Sequence, residues 1–237
     1  MARTPIWKSI ASTLSAEISD GMYRPGDKLP TEAQLAARFG VNRHTVRHAM
    51  SALVDAGTVR TRRGAGAFVA QTPTDYPIGK RVRFHQNLRA AGRTPAKTVL
   101  SLTTRLANAE ERDALALEDA AQVHVYEGLS LADDQPIALF RSVFPAVPFP
   151  DLPAALAQSG SVTQALKAGG VVDYTRAWTR LTAKSATATQ ALHLRISEGA
   201  PILRSVGLNV SDTGLPIELG RTWFAGDRVT LTLSDEV

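Results

Sequence analysis

The sequence predicts an α+β protein in two parts: a small N-terminal domain of helices closed by a hairpin, and a larger C-terminal domain built on an antiparallel sheet with inserted helices. Three observations carry this. The first 70 residues read as helix, helix, turn, helix, hairpin, while the remainder alternates β-prone runs with turn signals such as ADDQP and SDTGLP. Charge divides the chain at the same place: residues 1–72 hold 10 Lys and Arg against 5 Asp and Glu, and residues 73–237 hold 17 against 17. The whole net charge of +5 therefore sits in the first third. A basic segment joined to a neutral one implies that one domain meets a polyanion and the other has a different task.

The elements follow in order. Ile6, Trp7, Ile10, Leu14 and Ile18 recur at helical spacing from Pro5 to Asp20, and Gly21 can adopt the left-handed conformation that closes a helix. Thr31 is placed to cap a short second helix that buries Leu35, Ala36 and Phe39 and stops at Gly40. Asn42 then caps a third helix running to about Ala56 and ended by Gly57. The run VRTRRGAGAFVA supplies two β-prone arms around a Gly-Ala-Gly turn. Residues 71–80, QTPTDYPIGK, contain two prolines, a glycine and no apolar periodicity, so they are expected to link a domain of residues 1–70 to one of residues 81–237. Beyond the linker, strands are expected at Thr98–Leu106, Gln122–Leu131, Ile137–Val143, Thr175–Thr182, Ile202–Val210 and Val229–Leu233. Helices are expected at Arg83–Ala91, Ala109–Leu117, Ser161–Ala168 and Thr187–Leu192.

On the third helix Val46, Ala49, Met50 and Leu53 share the face that packs inward. The opposite face carries His44, Arg47, His48 and Ser51, with Arg43 and Thr45 in the first turn. A solvated face normally mixes signs for pairing along the helix, and no carboxylate occurs between Glu32 and Asp55. Such a face suits a DNA major groove, where arginine gives two hydrogen bonds to guanine. The second helix and the tight turn at Gly40 and Val41 complete the spacing of a helix-turn-helix. The hairpin places Arg60, Arg62 and Arg63 beside Gly64 and Gly66, a basic wing narrow enough at its tip for a minor groove.

The run YRPGDKLPTEAQLAARFGVNRHTVRHAMSALVDAGTVRTRRGAGAFV resembles the winged helix-turn-helix domain of the GntR family of bacterial transcription regulators across nearly all of residues 5–70. The resemblance implies that Arg43, Thr45 and Arg47 contact DNA and that Gly66 lies at the wing tip. Thr31, His44, His48, Arg62, Arg63 and Gly64 complete the expected DNA surface. One departure is Ala33, where many members carry a further arginine contact. From about Gly79 to Leu233 the chain resembles the effector-binding, UTRA-type domain of the HutC branch, whose fold is similar to chorismate lyase. Its cues are RVRFHQNLRAAGRTPAKTVLS, VYEGLSLADDQPIALFRSVFP and PILRSVGLNVSDTGLPIELGRTWFAGDRVTL, and it is most similar to regulators of phosphonate uptake and breakdown. The resemblance implies repression relieved by a small anionic effector; a homodimer on a two-fold operator of double-stranded DNA is expected because one recognition helix rarely supplies enough specific contacts, and a cytoplasmic location because no membrane span or signal peptide is read. A sugar phosphate or a urocanate-like carboxylate remains an alternative effector.

The expected effector residues come from four places. Lys80, Arg81, Arg83, Arg89 and Arg93 are five cations with no anion over residues 80–93; they would serve a phosphonate or phosphate, operator DNA, or a solvated helix face. From this stretch Arg83, Phe84 and Arg89 are assigned to the effector site. Arg176 and Arg180, four apart in a strand, are expected to share one face with Tyr174 and Trp178. Arg141, next to Ser142, and Arg221, in ELGRTWF, stand in apolar strands, where each must find an anion or a carboxylate. Glu218 is the expected partner of one of these arginines, or the acceptor of a ligand amine.

Several chemistries are disfavoured. Zero cysteines exclude disulfides, thiol catalysis and cysteine-held metals. The chain shows no H-E-x-x-H, no G-x-S-x-G and no Gly-rich phosphate loop after a strand, and His85, His124 and His193 are isolated in sequence. No catalytic residue, metal or cofactor is therefore expected, which places a lyase-like enzyme behind a ligand-controlled switch, and the separate neutral domain argues against a constitutive DNA-binding protein. No apolar run approaches the roughly 18 residues of a membrane span, and MARTPIWKS lacks the apolar core of a signal peptide.

Overall fold

The computed structural model describes residues 5–233 except 63, 72 and 82. It forms two compact units, Met1–Thr72 and Pro73–Val237.

In the first unit, α1 (Ile6–Ser19) buries Ile10 and Leu14, one turn apart. A capping box starts α2 (Glu32–Phe39): the Thr31 hydroxyl accepts from the Gln34 N–H while the Gln34 side chain accepts from the Thr31 N–H. Gly40, at φ 64°, closes that helix in the left-handed region. Asn42 caps α3 (Arg43–Asp55), which turns Val46, Ala49, Met50 and Leu53 into a core shared with Leu14, Leu35 and Val59. Leu14, Leu35 and Val46 are completely inaccessible, so the stripe read from helical periodicity is the packing surface. The wing is an antiparallel pair, β1 (Val59–Arg62) with β2 (Gly66–Val69).

The second unit is a six-stranded antiparallel sheet in the order β4-β5-β6-β9-β8-β7. Its strands are β4 (Pro95–Leu106), β5 (Gln122–Ala132), β6 (Gln135–Pro145), β7 (Tyr174–Ser185), β8 (Pro201–Ser211) and β9 (Pro216–Ala225). Asp133 and Asp134, both at positive φ, make the tight turn between β5 and β6. One sheet face packs on α4 (Phe84–Ala90), α6 (Leu152–Ser159) and α7 (Val162–Ala168) through Phe140, Phe144 and Phe224. The other packs on α5 (Ala109–Leu115) and α8 (Ala188–Leu194) through Val143, Leu219 and Ile202.

Two elements depart from the sequence reading. Within the segment expected to be a linker, residues 71–80, Thr74–Pro77 form β3, which pairs in parallel with β10 (Val229–Thr232). Its partner lies about 150 residues away, so no local pattern reveals it, and the prolines around it mimic a linker. Helix α6, with proline in its first turn, was not among the expected helices; proline there reads as a breaker although it is tolerated at helix starts.

Candidate DNA-reading surface and effector pocket

The first turn of α3 is built by its cap. Asn42 Oδ1 accepts from the Thr45 N–H at 2.8 Å and from the Thr45 hydroxyl at 2.9 Å, so Thr45 helps to start the helix. Arg43 and His44 are exposed beside it. Arg47 reaches back to Glu32, with Nε 3.2 Å from Oε1 and Nη2 2.9 Å from Oε2. The hydrogen bond from Arg47 holds the Glu32 carboxyl below its usual range. Both partners face water, at 68% and 39% side-chain exposure, so the pair costs little to exchange for another anion.

His48 has a neighbour that its position on the outer face did not announce. Its ring stacks on Trp7 of α1 at 4.2 Å between centroids, with the planes 20° apart. Thr31 is engaged in the α2 cap, donating from its hydroxyl to Gln34 Oε1 at 2.9 Å. In the wing, Gly64 and Gly66 lie at φ 76° and 108°, conformations that favour glycine, and Gly66 opens β2 opposite Arg62. A Cβ on Gly66 would stand 3.1 Å from Cε of Lys28. Arg63 lies outside the described residues.

The second unit holds a cavity of about 670 Å³ over one face of the sheet. Seven of the ten expected effector residues line it: Arg83, Phe84, Arg89, Ser142, Tyr174, Arg176 and Glu218. Arg83 lies with its guanidinium 3.8 Å from the centre of the Tyr174 ring, and its Nη2 donates to Asp173 Oδ1 at 2.8 Å and to the Tyr174 carbonyl at 3.2 Å. Its Nη1 is buried without a hydrogen-bond partner among the described residues. Arg176 donates from Nε to Asn209 Oδ1 at 2.8 Å and from Nη1 to the Thr179 hydroxyl at 3.5 Å. Its Nη2 has no protein partner among the described residues.

Glu218 pairs directly with no arginine among the described residues, so of its two expected roles the arginine partnership is not the one seen. Its Oε1 accepts from the Ser142 hydroxyl and its Oε2 from the Asn209 amide, each at 2.6 Å. Asn209 therefore links the Arg176 guanidinium to a buried carboxylate. Among the described residues the lining carries six cations, Arg81, Arg83, Arg89, Lys97, Lys167 and Arg176, against Asp173 and Glu218, so the cavity favours an anion. His85 is held below its ordinary value by burial first, then by the Lys97 and Arg89 charges, in keeping with a positive field.

Three expected residues point away, for two different reasons. Arg141 and Arg221 are directly opposed on β6 and β9, and strand alternation sends them to the other face when Ser142 and Gly220 face the cavity. Arg141 pairs with Glu127 at 2.5 Å and Arg221 with Glu110 at 2.7 Å. Arg180 was expected on the same face as Arg176. A β-bulge between Arg176 and Trp178 inserts one unpaired residue and reverses the parity, so Trp178 packs with Leu208 on the opposite face and Arg180 stacks over the Trp178 ring at 4.7 Å.

Other members of the site lacked a local signal. Lys97 comes from β4, Tyr76 from β3 and Ser161 to Gln164 from the start of α7. Gly220 lines the cavity, and its cross-strand partner Gly207 leaves room for Arg176, since a Cβ on Gly207 would fall 1.8 Å from Arg176 Nη1. Only Asn209, a lone amide in the apolar run VGLNV, offered a readable anomaly. Among the described residues no cluster of three His, Asp or Glu is placed to hold a metal ion, and no helix is long and apolar enough to cross a membrane.

Comparison with known proteins follows the same division. Residues 7–69 match the model of bacterial regulatory proteins, gntR family, and residues 90–230 match the UTRA domain. The chain is 36% identical over 229 residues to an uncharacterized HTH-type transcriptional regulator of Rhizobium meliloti, covering 96% of this chain and 94% of that one. It is 33% identical, with the same coverage, to the probable transcriptional regulator PhnF of Escherichia coli. Among solved structures, PhnF from Mycobacterium smegmatis superposes with a TM-score of 0.67 at 24% identity, covering 96% of this chain and 99% of that one.

Proposed function

The chain belongs to the gntR family of bacterial regulatory proteins and carries a UTRA domain, and from that premise we propose that it is a cytoplasmic repressor released by a small phosphonate or phosphate-bearing effector. The observation that carries the effector class is a pair of guanidinium donors with no partner among the described residues, Arg83 Nη1 and Arg176 Nη2, in a cavity whose described lining holds six cations and two carboxylates. Arginine forks suit the oxygens of a phosphonate, and their charge-assisted bonds are roughly twice as strong as neutral ones. The similarity to PhnF supports a role in phosphonate uptake or breakdown.

In this reading two copies of the chain present two α3 helices to two-fold related half-sites, because one recognition helix rarely gives enough specific contacts. Arg43 and Arg47 read base edges, Thr31, Thr45, His44 and the wing residues Arg62, Arg63, Gly64 and Gly66 hold the backbone, and His48 supports α3 through Trp7. Effector binding lowers operator affinity by a coupling free energy of about 1–3 kcal/mol, and operator DNA weakens effector binding by the same factor.

Thermal unfolding against phosphate, methylphosphonate, 2-aminoethylphosphonate, glucosamine 6-phosphate and urocanate tests the effector class. A ligand at about 100 times its Kd stabilises the folded state by roughly 2.7 kcal/mol. A raised midpoint with phosphonates is expected; a response to urocanate alone, or to none of the panel, defeats the phosphonate reading while leaving the DNA surface untouched.

A further inference from the structure

Lys97 stands apart from the other cations of the cavity. Its ammonium lies 4.9 Å from the ring centre of Phe140, 5.5 Å from Phe84 and 5.7 Å from Tyr126. It makes no hydrogen bond or salt bridge among the described residues. Glu218 is the carboxylate whose charge it feels, yet both Glu218 oxygens are taken by the neutral donors Ser142 and Asn209.

A lysine that served only to hold an anion would gain from a carboxylate neighbour that keeps it charged. This one is placed among rings, and burial lowers its pKa to about 8 against the opposing pull of Glu218. About one amine in ten is then neutral at pH 7, against about one in three thousand for an ordinary lysine. Desolvation in an apolar pocket is a recognised way to make a lysine amine nucleophilic towards carbonyls.

We propose that Lys97 condenses reversibly with an aldehyde or ketone carbon of the effector, so that the ligand is an anion carrying a carbonyl. This rests on the anion reading above, with Arg83 and Arg176 holding the charged end. The Nζ lone pair adds to the carbonyl carbon to give a carbinolamine. The C–O bond then breaks, the two amine hydrogens leave with the oxygen as water, and a C=N bond remains. No oxidant or reductant enters, and hydrolysis restores the amine and the effector. The stored signal is therefore erased when free effector falls.

The probe is phosphonoacetaldehyde, added to the full-length chain and followed by sodium borohydride, with peptide mass spectrometry and parallel thermal unfolding. Expected is a Lys97 peptide heavier by the probe's mass less one oxygen, labelled at least about tenfold above the exposed Lys8 and Lys184. Methylphosphonate in excess should suppress it, and Lys97→Arg, which keeps the cation and loses the amine, should abolish it. A raised midpoint without a Lys97 adduct overturns the condensation and leaves the anion reading standing. No raised midpoint and no adduct overturns both. Equal labelling of Lys97, Lys8 and Lys184, or labelling that survives Lys97→Arg, also overturns the proposal.

Discussion

Arg176 and Arg221 lie in the same sheet with one strand between them, and differ in the face they meet. On the cavity face Arg176 meets an amide and a hydroxyl and keeps an Nη2 with no partner among the described residues. On the other face Arg221, with a side chain only 12% exposed, is matched to Glu110, and its opposed neighbour Arg141 is matched to Glu127. The contrast teaches that a cation in an apolar strand is not by itself a ligand contact; its remaining donors decide. Arg176→Ala is therefore expected to weaken phosphonate binding roughly thirty- to hundredfold, about 2–3 kcal/mol, by calorimetry. Arg221→Ala should change it less than about twofold and lower the unfolding midpoint instead. Equal losses for the two variants would erase the distinction between the faces.

Lys97 provides a second contrast, between a cation kept near carboxylates and one kept among rings. Its folded pKa of about 8 lies below the ordinary 10.5, so between those values the unfolded chain binds more protons and stability rises with pH. Below pH 8 the cost of the buried charge is fully present. Lys97→Met should raise the stability of the ligand-free protein by roughly 2 kcal/mol at pH 7 and flatten the rise between about pH 8 and 10.5. Denaturant titration across that range checks it; an unchanged slope would mean that the amine is hydrated.

These faces also show where a sequence stops being readable. Unit one was legible because its determinants are local: the Thr31–Gln34 capping box, the left-handed Gly40, the Asn42 cap and the 3.6-residue stripe all fall within a few residues of what they specify. The pocket depends on long-range pairing. Strand parity told nothing about Arg141 and Arg221 until one inward residue, Ser142 or Gly220, was known. A single unpaired residue at Ala177 then separated Arg176 from Arg180. Lys97 was hidden because residues 95–97 precede the expected start of their strand, and Tyr76 because its strand looked like a linker.

Gly207 offers a finer way to break the comparison, since it alters the cavity face without removing any charge. A methyl there would occupy the position of Arg176 Nη1, so the guanidinium must swing off Asn209. Gly207→Ala is expected to weaken phosphonate binding about tenfold, near 1.4 kcal/mol, less than deleting the arginine. Gly220→Ala, whose added methyl meets nothing nearer than 3.7 Å, is the control. A larger loss at Gly220 than at Gly207 would mean that the floor, and not the arginine, makes the site.

The smallest expected effect concerns Arg47, which is paired yet free to leave. Arg47 gives two hydrogen bonds to Glu32 where Arg221 makes one ion-pair contact with Glu110, but both partners of the first pair face water while the Arg221 side chain is only 12% exposed, so the Arg47 pair should contribute little to stability. Glu32→Gln is thus expected to move the unfolding free energy by less than about 0.5 kcal/mol. On DNA it removes a carboxylate beside the recognition helix, so non-specific affinity should rise about twofold at low salt and the gain should fade as salt screens it. Fluorescence anisotropy over a salt series on operator and random duplexes separates the possibilities. A loss of more than about 1 kcal/mol of stability, or a drop in affinity on both duplexes, would show that Glu32 holds Arg47 in place as firmly as Glu110 holds Arg221, and that pairing rather than exposure separates the readers from the structural arginines.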